Sequence, residues 1–399
     1  MATLKRHPFH TVSSEVDQDD LDAKIKKHRR KVFVIIASII LLVLIALIAI
    51  YIYFEHKTYT SYEVINSIER SDTSASQFET FQGNLLKYTN DGAVYTDLNG
   101  NRIWNQTYEM DHPSTDSCNE YLVIYELNGT QIYILNKVSL QSSIQTTMPI
   151  QRVSVAKQGT IAVLMESEGI SYLQLYDKEG TQLAAGELHV QNSGYPLDIA
   201  LSEDGQKLAV AMLDINEGSV KTTIAFYNFG AVGQNSIDKI VGSYSYPDML
   251  ISRIHYMKDD TMVAFGDSKV VIFSGTQKPA ESTSIEITEE VKSIFYDDQY
   301  FGLVFDSDSK EQPHRLELYN IKGAKVREVG ISIDYNQIEL LDNQDICIYN
   351  DNQCEIINRK GIKKLLCTFD KSLYKVISTA AQRNYTFILE GETRRVKLK

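Results

Sequence analysis

The four cysteines of this 399-residue chain, Cys118, Cys347, Cys354 and Cys367, have the widest chemical range of its side chains. A thiol can pair, ligate a soft metal or act as a nucleophile. Centring a hairpin turn on Asn350 and Asp351 puts Cys347 opposite Cys354, and a second turn near Lys360 and Gly361 brings Cys367 to roughly the same row. Three readings follow: a Cys347–Cys354 disulfide with a spare thiol, buried free thiols in strand interiors, or a soft-metal site. The metal reading is the weakest, because no neighbouring His completes a tetrahedral set and no Cys-x-x-Cys occurs. Beyond the long apolar run the histidines are His56, His112, His189, His255 and His314, scattered along the chain, and no G-x-S-x-G, H-E-x-x-H or Walker loop accompanies them. "MDHPSTDSC" (Met110 to Cys118) reads as a polar turn, and the carboxylates of "FDSDSKEQ" and "MLDINEGS" do not fit EF-hand spacing. No residue is therefore assigned a catalytic, cofactor-binding or metal-ligating role, and no cofactor is expected.

The elements that would position such groups begin with a membrane span. From Val32 to Phe54, "VFVIIASIILLVLIALIAIYIYF" is free of charge, and as a helix of about 35 Å it is long enough to cross a bilayer core. Lys24, Lys26, Lys27, Arg29, Arg30 and Lys31 precede it, whereas Glu55, His56 and Lys57 follow. That bias predicts a cytoplasmic N-terminus. The apolar core is roughly twice the length of a signal-peptide h-region, which favours an uncleaved signal anchor. Residues 1–31 hold 8 Lys and Arg against 5 Asp and Glu, so a total of −12 leaves −15 for the rest. An acidic outer domain argues against a nucleic-acid partner, which needs a basic face.

Beyond the anchor a strand ending recurs. "YTDLNG", "YILNKVS", "LYDKEG", "FYNFG", "VIFSGT", "LYNIKG" and "IINRKG" each end an apolar run on Asp, Asn or Ser, usually with Gly soon after. The turn positions are Asp97, Asn136, Asp177, Asn228, Ser274, Asn320 and Asn358, at steps of 39, 41, 51, 46, 46 and 38 residues. Asp and Asn start tight turns through their side chains, and Gly supplies positive φ. Runs such as "QKLAVAML", "DICIYN" and "YTFILEG" are β throughout. Four short strands per repeat predict an all-β fold, a β-propeller of eight blades, with seven the alternative count. The final repeat holds three strand-like runs, so "YTSYEVIN" (Tyr59 to Asn66) is expected to supply its fourth strand and close the ring. The organisation read is a basic tail over 1–31, a span over 32–54, a stalk with the closing strand over 55–75 and a propeller over 76–399.

"ALSEDGQKLAVAML" resembles the strand-turn-strand of WD40-like propellers, and "AVYTDLNGNRIWNQTY" resembles a quinoprotein-like repeat. With "YEVINSIERSD" and "MPIQRVSVAKQGTIAVL", the whole is similar to a family of membrane-anchored propellers of Gram-positive, clostridia-type bacteria grouped as a domain of unknown function. The resemblance implies an envelope location and an eight-bladed fold, and carries over no catalytic residues. Quinoproteins repeat a Trp in most blades and pair adjacent cysteines, whereas this chain has one Trp, Trp104, and no adjacent cysteines. Trp104 is expected to pack blade against blade. The function expected is a protein- or glycan-binding scaffold held at the cell membrane by one helix. The alternatives are a propeller enzyme acting in the central funnel and a single-span ligand sensor.

Overall fold

The computed structural model describes residues 18–189, 194–216, 218–379, 381 and 383–399. The first 17 residues of the basic tail lie outside them. Two units make up the chain, residues 1–57 and 58–399. The first contains one continuous helix, Gln18–His56, which starts well before Val32. Its apolar side chains are exposed on every side, as with Phe33, Leu42 and Ile50, and it is long and apolar enough to cross a membrane.

The second unit is an eight-bladed β-propeller of eight four-stranded antiparallel sheets. Blades 1 to 7 run in chain order from Gln77–Phe81 to Lys363–Thr368. Blade 8 combines Leu373–Ser378, Asn384–Leu389 and Glu392–Leu398 with the early strand Tyr62–Glu69. The closing strand is thus displaced from the sequence expectation, starting three residues later and ending three later. Tyr59 is engaged elsewhere: it is 4% exposed, its N–H donates to the Lys364 carbonyl of blade 7 at 2.8 Å, and it bridges to Leu365. The register then runs from Tyr62↔Leu398 to Glu69↔Glu392.

Each junction between neighbouring blades has its own apolar cluster. Between blades 1 and 2 the cluster holds Trp104, which lies 5.1 Å from Tyr95 and donates its indole N–H to the Asn136 carbonyl at 3.0 Å. The sole tryptophan is a blade-packing residue. The turn residues stand between the third and fourth strands of their blades. Asp97, Asn136, Asp177, Asn228, Asn320 and Asn358 each accept backbone N–H groups on a side-chain oxygen, as Asn358 Oδ1 does from Lys360 and Ile362 at 3.0 Å. Ser274 departs from this pattern, since its hydroxyl donates to Ser282 at 3.2 Å.

The thinnest apolar junction joins blade 8 to blade 1, where only Phe78, Leu85, Ile377 and Ile388 form the buried cluster. Polar contacts reinforce it. Arg70 donates to the carbonyls of Leu389 (2.7 Å) and Glu392 (3.0 Å), to Thr393 (2.6 Å), and through two nitrogens to Asp72, which also meets Lys87 at 3.2 Å. Burial alone would raise Asp72, yet Arg70 holds its carboxyl below the ordinary range. Arg70→Ala leaves three acceptors without their donor and Asp72 with only Lys87 and the Gly391 N–H as partners, and is expected to cost about 3 kcal/mol of unfolding free energy. Chemical denaturation of the full chain measures it, with Arg70→Lys intermediate.

Candidate functional site

First strands of successive blades pack together at the junctions of blades 8 and 1, 2 and 3, 3 and 4, 4 and 5, and 6 and 7, and those of blades 2 to 6 line the central channel. Five first strands carry a β-bulge, at Ile150/Arg152, Pro196/Asp198, Ile251/Arg253, Val291/Ser293 and Leu373/Lys375. A bulge re-aims the side chain that follows it. The residue after each bulge is polar, and in four of the five it carries a charge.

Around blades 2 to 6 these strands enclose a chamber of about 410 Å³. Asp198 of blade 4 lies in its wall with a side chain 2% exposed. Arg152 Nε of blade 3 lies 3.1 Å from it and Arg253 Nη1 of blade 5 lies 3.7 Å away. The Ile254 N–H donates to Asp198 Oδ2 at 2.9 Å. Burial pushes the Asp198 carboxyl up, and the two guanidiniums offset this in part. Parallel stitches bind the neighbours: Asp116 Oδ2 of blade 2 accepts the Val155 N–H at 2.8 Å, and Ser154 Oγ of blade 3 accepts the Leu201 N–H at 3.1 Å. One row of side chains therefore both joins blades and lines the chamber.

Two wall groups have displaced proton affinities. Enclosure by protein pushes the Asp116 carboxyl up to about 7, with the N–H groups of Val155 and Ser117 pulling the other way. His255 of blade 5 stacks on Tyr296 of blade 6 at 4.2 Å between ring centres, and desolvation with the nearby Arg253 charge lowers it to about 4. At neutral pH the imidazole is uncharged. On the opposite arc of the channel, Lys375 of blade 8 is shared by Glu79 of blade 1 and Glu339 of blade 7, 2.9 Å from each. Burial would lower this ammonium, but the two carboxylates hold it above its ordinary value.

The cysteines of blade 7 lie in a core cluster away from the chamber. Tyr349, not Cys347, pairs with Cys354, so Cys347 is diagonal to it; Cys354 faces Cys367 directly. The expected register fails because Asn350 opens the turn and does not sit at its centre: its side chain accepts the Asn352 and Gln353 N–H groups. Cys347 and Cys354 are fully buried free thiols with sulfurs 3.7 Å apart. Burial and the neighbouring Cys354 raise the Cys347 thiol well above its usual range. Among the described residues no three His, Cys, Asp or Glu gather as a metal-binding set. His314 pairs with Asp306 at 3.2 Å, and His112 is exposed.

Sequence reasoning missed the chamber. Asp116 and Cys118 sit in "PSTDSC", which is a strand and not the turn expected. The usable signal was the motif apolar-x-polar-apolar at the head of the repeats, "IQRV", "PLDI", "ISRI", "VKSI" and "LYKV".

Fold and channel define the class: an eight-bladed propeller with a charged central chamber, in a chain that also carries one apolar helix. This chain belongs to the family of unknown function DUF5711, whose profile matches residues 55–398. No curated protein matches it in sequence. Similar solved structures include BamB from Moraxella catarrhalis (TM-score 0.48, 12% identity, covering 85% of this chain and 100% of that one). Others are Raptor from Chaetomium thermophilum (0.47, 8%, covering 86% and 29%) and the Pan2 WD40 domain of Neurospora crassa (0.46, 7%, covering 86% and 98%).

Proposed function

We propose that this protein is held by its single helix with the N-terminus in the cytoplasm, and that its propeller acts outside as a non-catalytic binding module for a protein or glycan of the cell envelope. The observation that carries the reading is the join between anchor and ring. Only residues 57–61 separate the end of the helix from the strand that completes blade 8. A domain tied to its anchor this closely stays within a few nanometres of the bilayer. The charge contrast across the helix supports the orientation, and the acidic propeller does not suit nucleic acid.

Blade 4 offers the contact surface. Its second and third strands, Lys207–Asn216 and Ser219–Asn228, have ten residues each against four to eight in every other described strand. Near the hairpin tip Ile215 is 66% exposed, and Tyr195 at the same end of the blade is also exposed. Exposed apolar and aromatic side chains on a protruding element are suited to a partner. A photo-crosslinking residue at position 215, in intact cells, tests this. The expected result is a discrete adduct with an envelope protein or glycan, absent when the crosslinker replaces Leu366 on the outermost strand of blade 7. Adducts confined to cytosolic proteins, or equal labelling from both positions, would refute it.

A further inference from the structure

The chamber presents more cationic donors than its own structure consumes. Asp198 engages one nitrogen of Arg152 and, more loosely, one of Arg253. Each guanidinium has five N–H donors. Tyr125 takes up a further part of Arg152. Both arginine side chains are about one-third exposed, 34% and 39%, whereas the carboxylate between them is shut off from solvent. The two guanidiniums thus flank one buried carboxylate, and each is oriented by it before any ligand arrives.

We propose that this chamber binds a small organic monocarboxylate, seated between Arg152 and Arg253. A carboxylate is planar and accepts paired N–H bonds from a guanidinium fork, using donors that Asp198 leaves free. The stacked His255 and Tyr296 rings give the rest of the ligand a flat wall. The volume suits a molecule of metabolite size. Glu203, Asp297 and Asp298 also line the chamber and carry like charge to any incoming anion, so a dianion such as phosphate meets more repulsion than a monocarboxylate, least of all one that carries an ammonium group. Asp116 adds little to that repulsion while it holds its proton, which it does below about pH 7. The site is independent of the envelope partner: blade 4's hairpin tip lies at the opposite end of that blade from Glu203.

The test is calorimetric titration of the full-length protein in detergent at pH 6.5 with lactate, alanine, phenylalanine and phenylacetate, beside inorganic phosphate and glucose. At least one monocarboxylate is expected to bind saturably, with phosphate and glucose at least tenfold weaker. Arg253→Gln is expected to weaken that binding at least tenfold without moving the thermal midpoint of the ligand-free protein by more than a few degrees. If Arg253→Gln does not fold, Arg253→Lys is measured in its place; it retains the charge without the fork, and a loss of at least threefold is expected. No saturable monocarboxylate binding up to about 10 mM, phosphate binding as well as the best carboxylate, or unchanged affinity in the folded arginine variant would each overturn the assignment.

Discussion

Replacing Tyr62–Glu69 with a Gly/Ser segment of equal length is expected to abolish cooperative unfolding of the propeller or to lower its thermal midpoint by more than about 10 °C. The strand forms an antiparallel ladder with Glu392–Leu398 along its length, interrupted by one bulge between Val64 and Asn66. Tyr62 adds ring contacts to Phe369 at 6.1 Å and Phe387 at 5.2 Å. Most of the strand's other side chains are exposed, so its value lies mainly in the ladder and in covering the edge. At about 0.5–1 kcal/mol per net hydrogen bond, with about 2 kcal/mol for the tyrosine, the loss is on the order of 5 kcal/mol, comparable with the whole stability of many domains. The exposed edge of Glu392–Leu398 would also recruit other chains. Differential scanning calorimetry with light scattering reads both effects. An unchanged midpoint with no aggregation would mean that the ring is held without this strand.

The second large effect concerns protons in the chamber. The folded state keeps Asp116 protonated up to about pH 7, while an unfolded Asp loses its proton near 4. Its contribution to stability is complete below pH 4 and is lost as pH rises through 7. His255 works in the opposite sense. It stays neutral in the folded state down to about pH 4, whereas an unfolded His ionises near 6.5, so its contribution is complete above 6.5 and is lost as pH falls through 4. Between these limits the two slopes cancel. Asp198, Glu203, Asp297, Asp298, Arg152 and Arg253 line the same space, and burial raises the carboxyls of Asp198, Glu203 and Asp297 as well. Asp116→Asn keeps an acceptor for Val155 and removes one slope, so its stability relative to wild type rises by roughly 2–4 kcal/mol from pH 4 to 7. His255→Phe keeps the ring stack and removes the other, gaining roughly 2–3 kcal/mol on wild type as pH falls from 6.5 to 4. Urea denaturation at several pH values measures both. Profiles parallel to wild type would show that neither group is displaced.

The all-β class, the blade repeat and the apolar helix were legible in the sequence because their causes are local. Asp97 and Asn358 cap turns with their own neighbours' N–H groups, and Trp104 lies in an outer strand facing the next repeat. The Cys347 register was missed by two residues because a turn's centre depends on where Asn350 places its side chain, which spacing does not specify. The chamber was hidden for a different reason. Asp116, Arg152, Asp198 and Arg253 are 36 to 55 residues from one another along the chain in successive steps, and only the closed ring brings them together. Each alone reads as an ordinary polar residue at a strand edge. The bulges before Arg152, Asp198 and Arg253 are displacements in strand pairing, and such pairing is not fixed by the local pattern.

The most direct test of the account is the side of the membrane on which the propeller stands. A specific protease site inserted after Lys57 lies between the helix and the closing strand. Treating wall-stripped but intact cells with that protease is predicted to release a soluble fragment of the size of residues 58–399 while a cytosolic marker stays enclosed. Release only after the membrane is permeabilised would put the propeller in the cytoplasm and contradict the envelope-binding function.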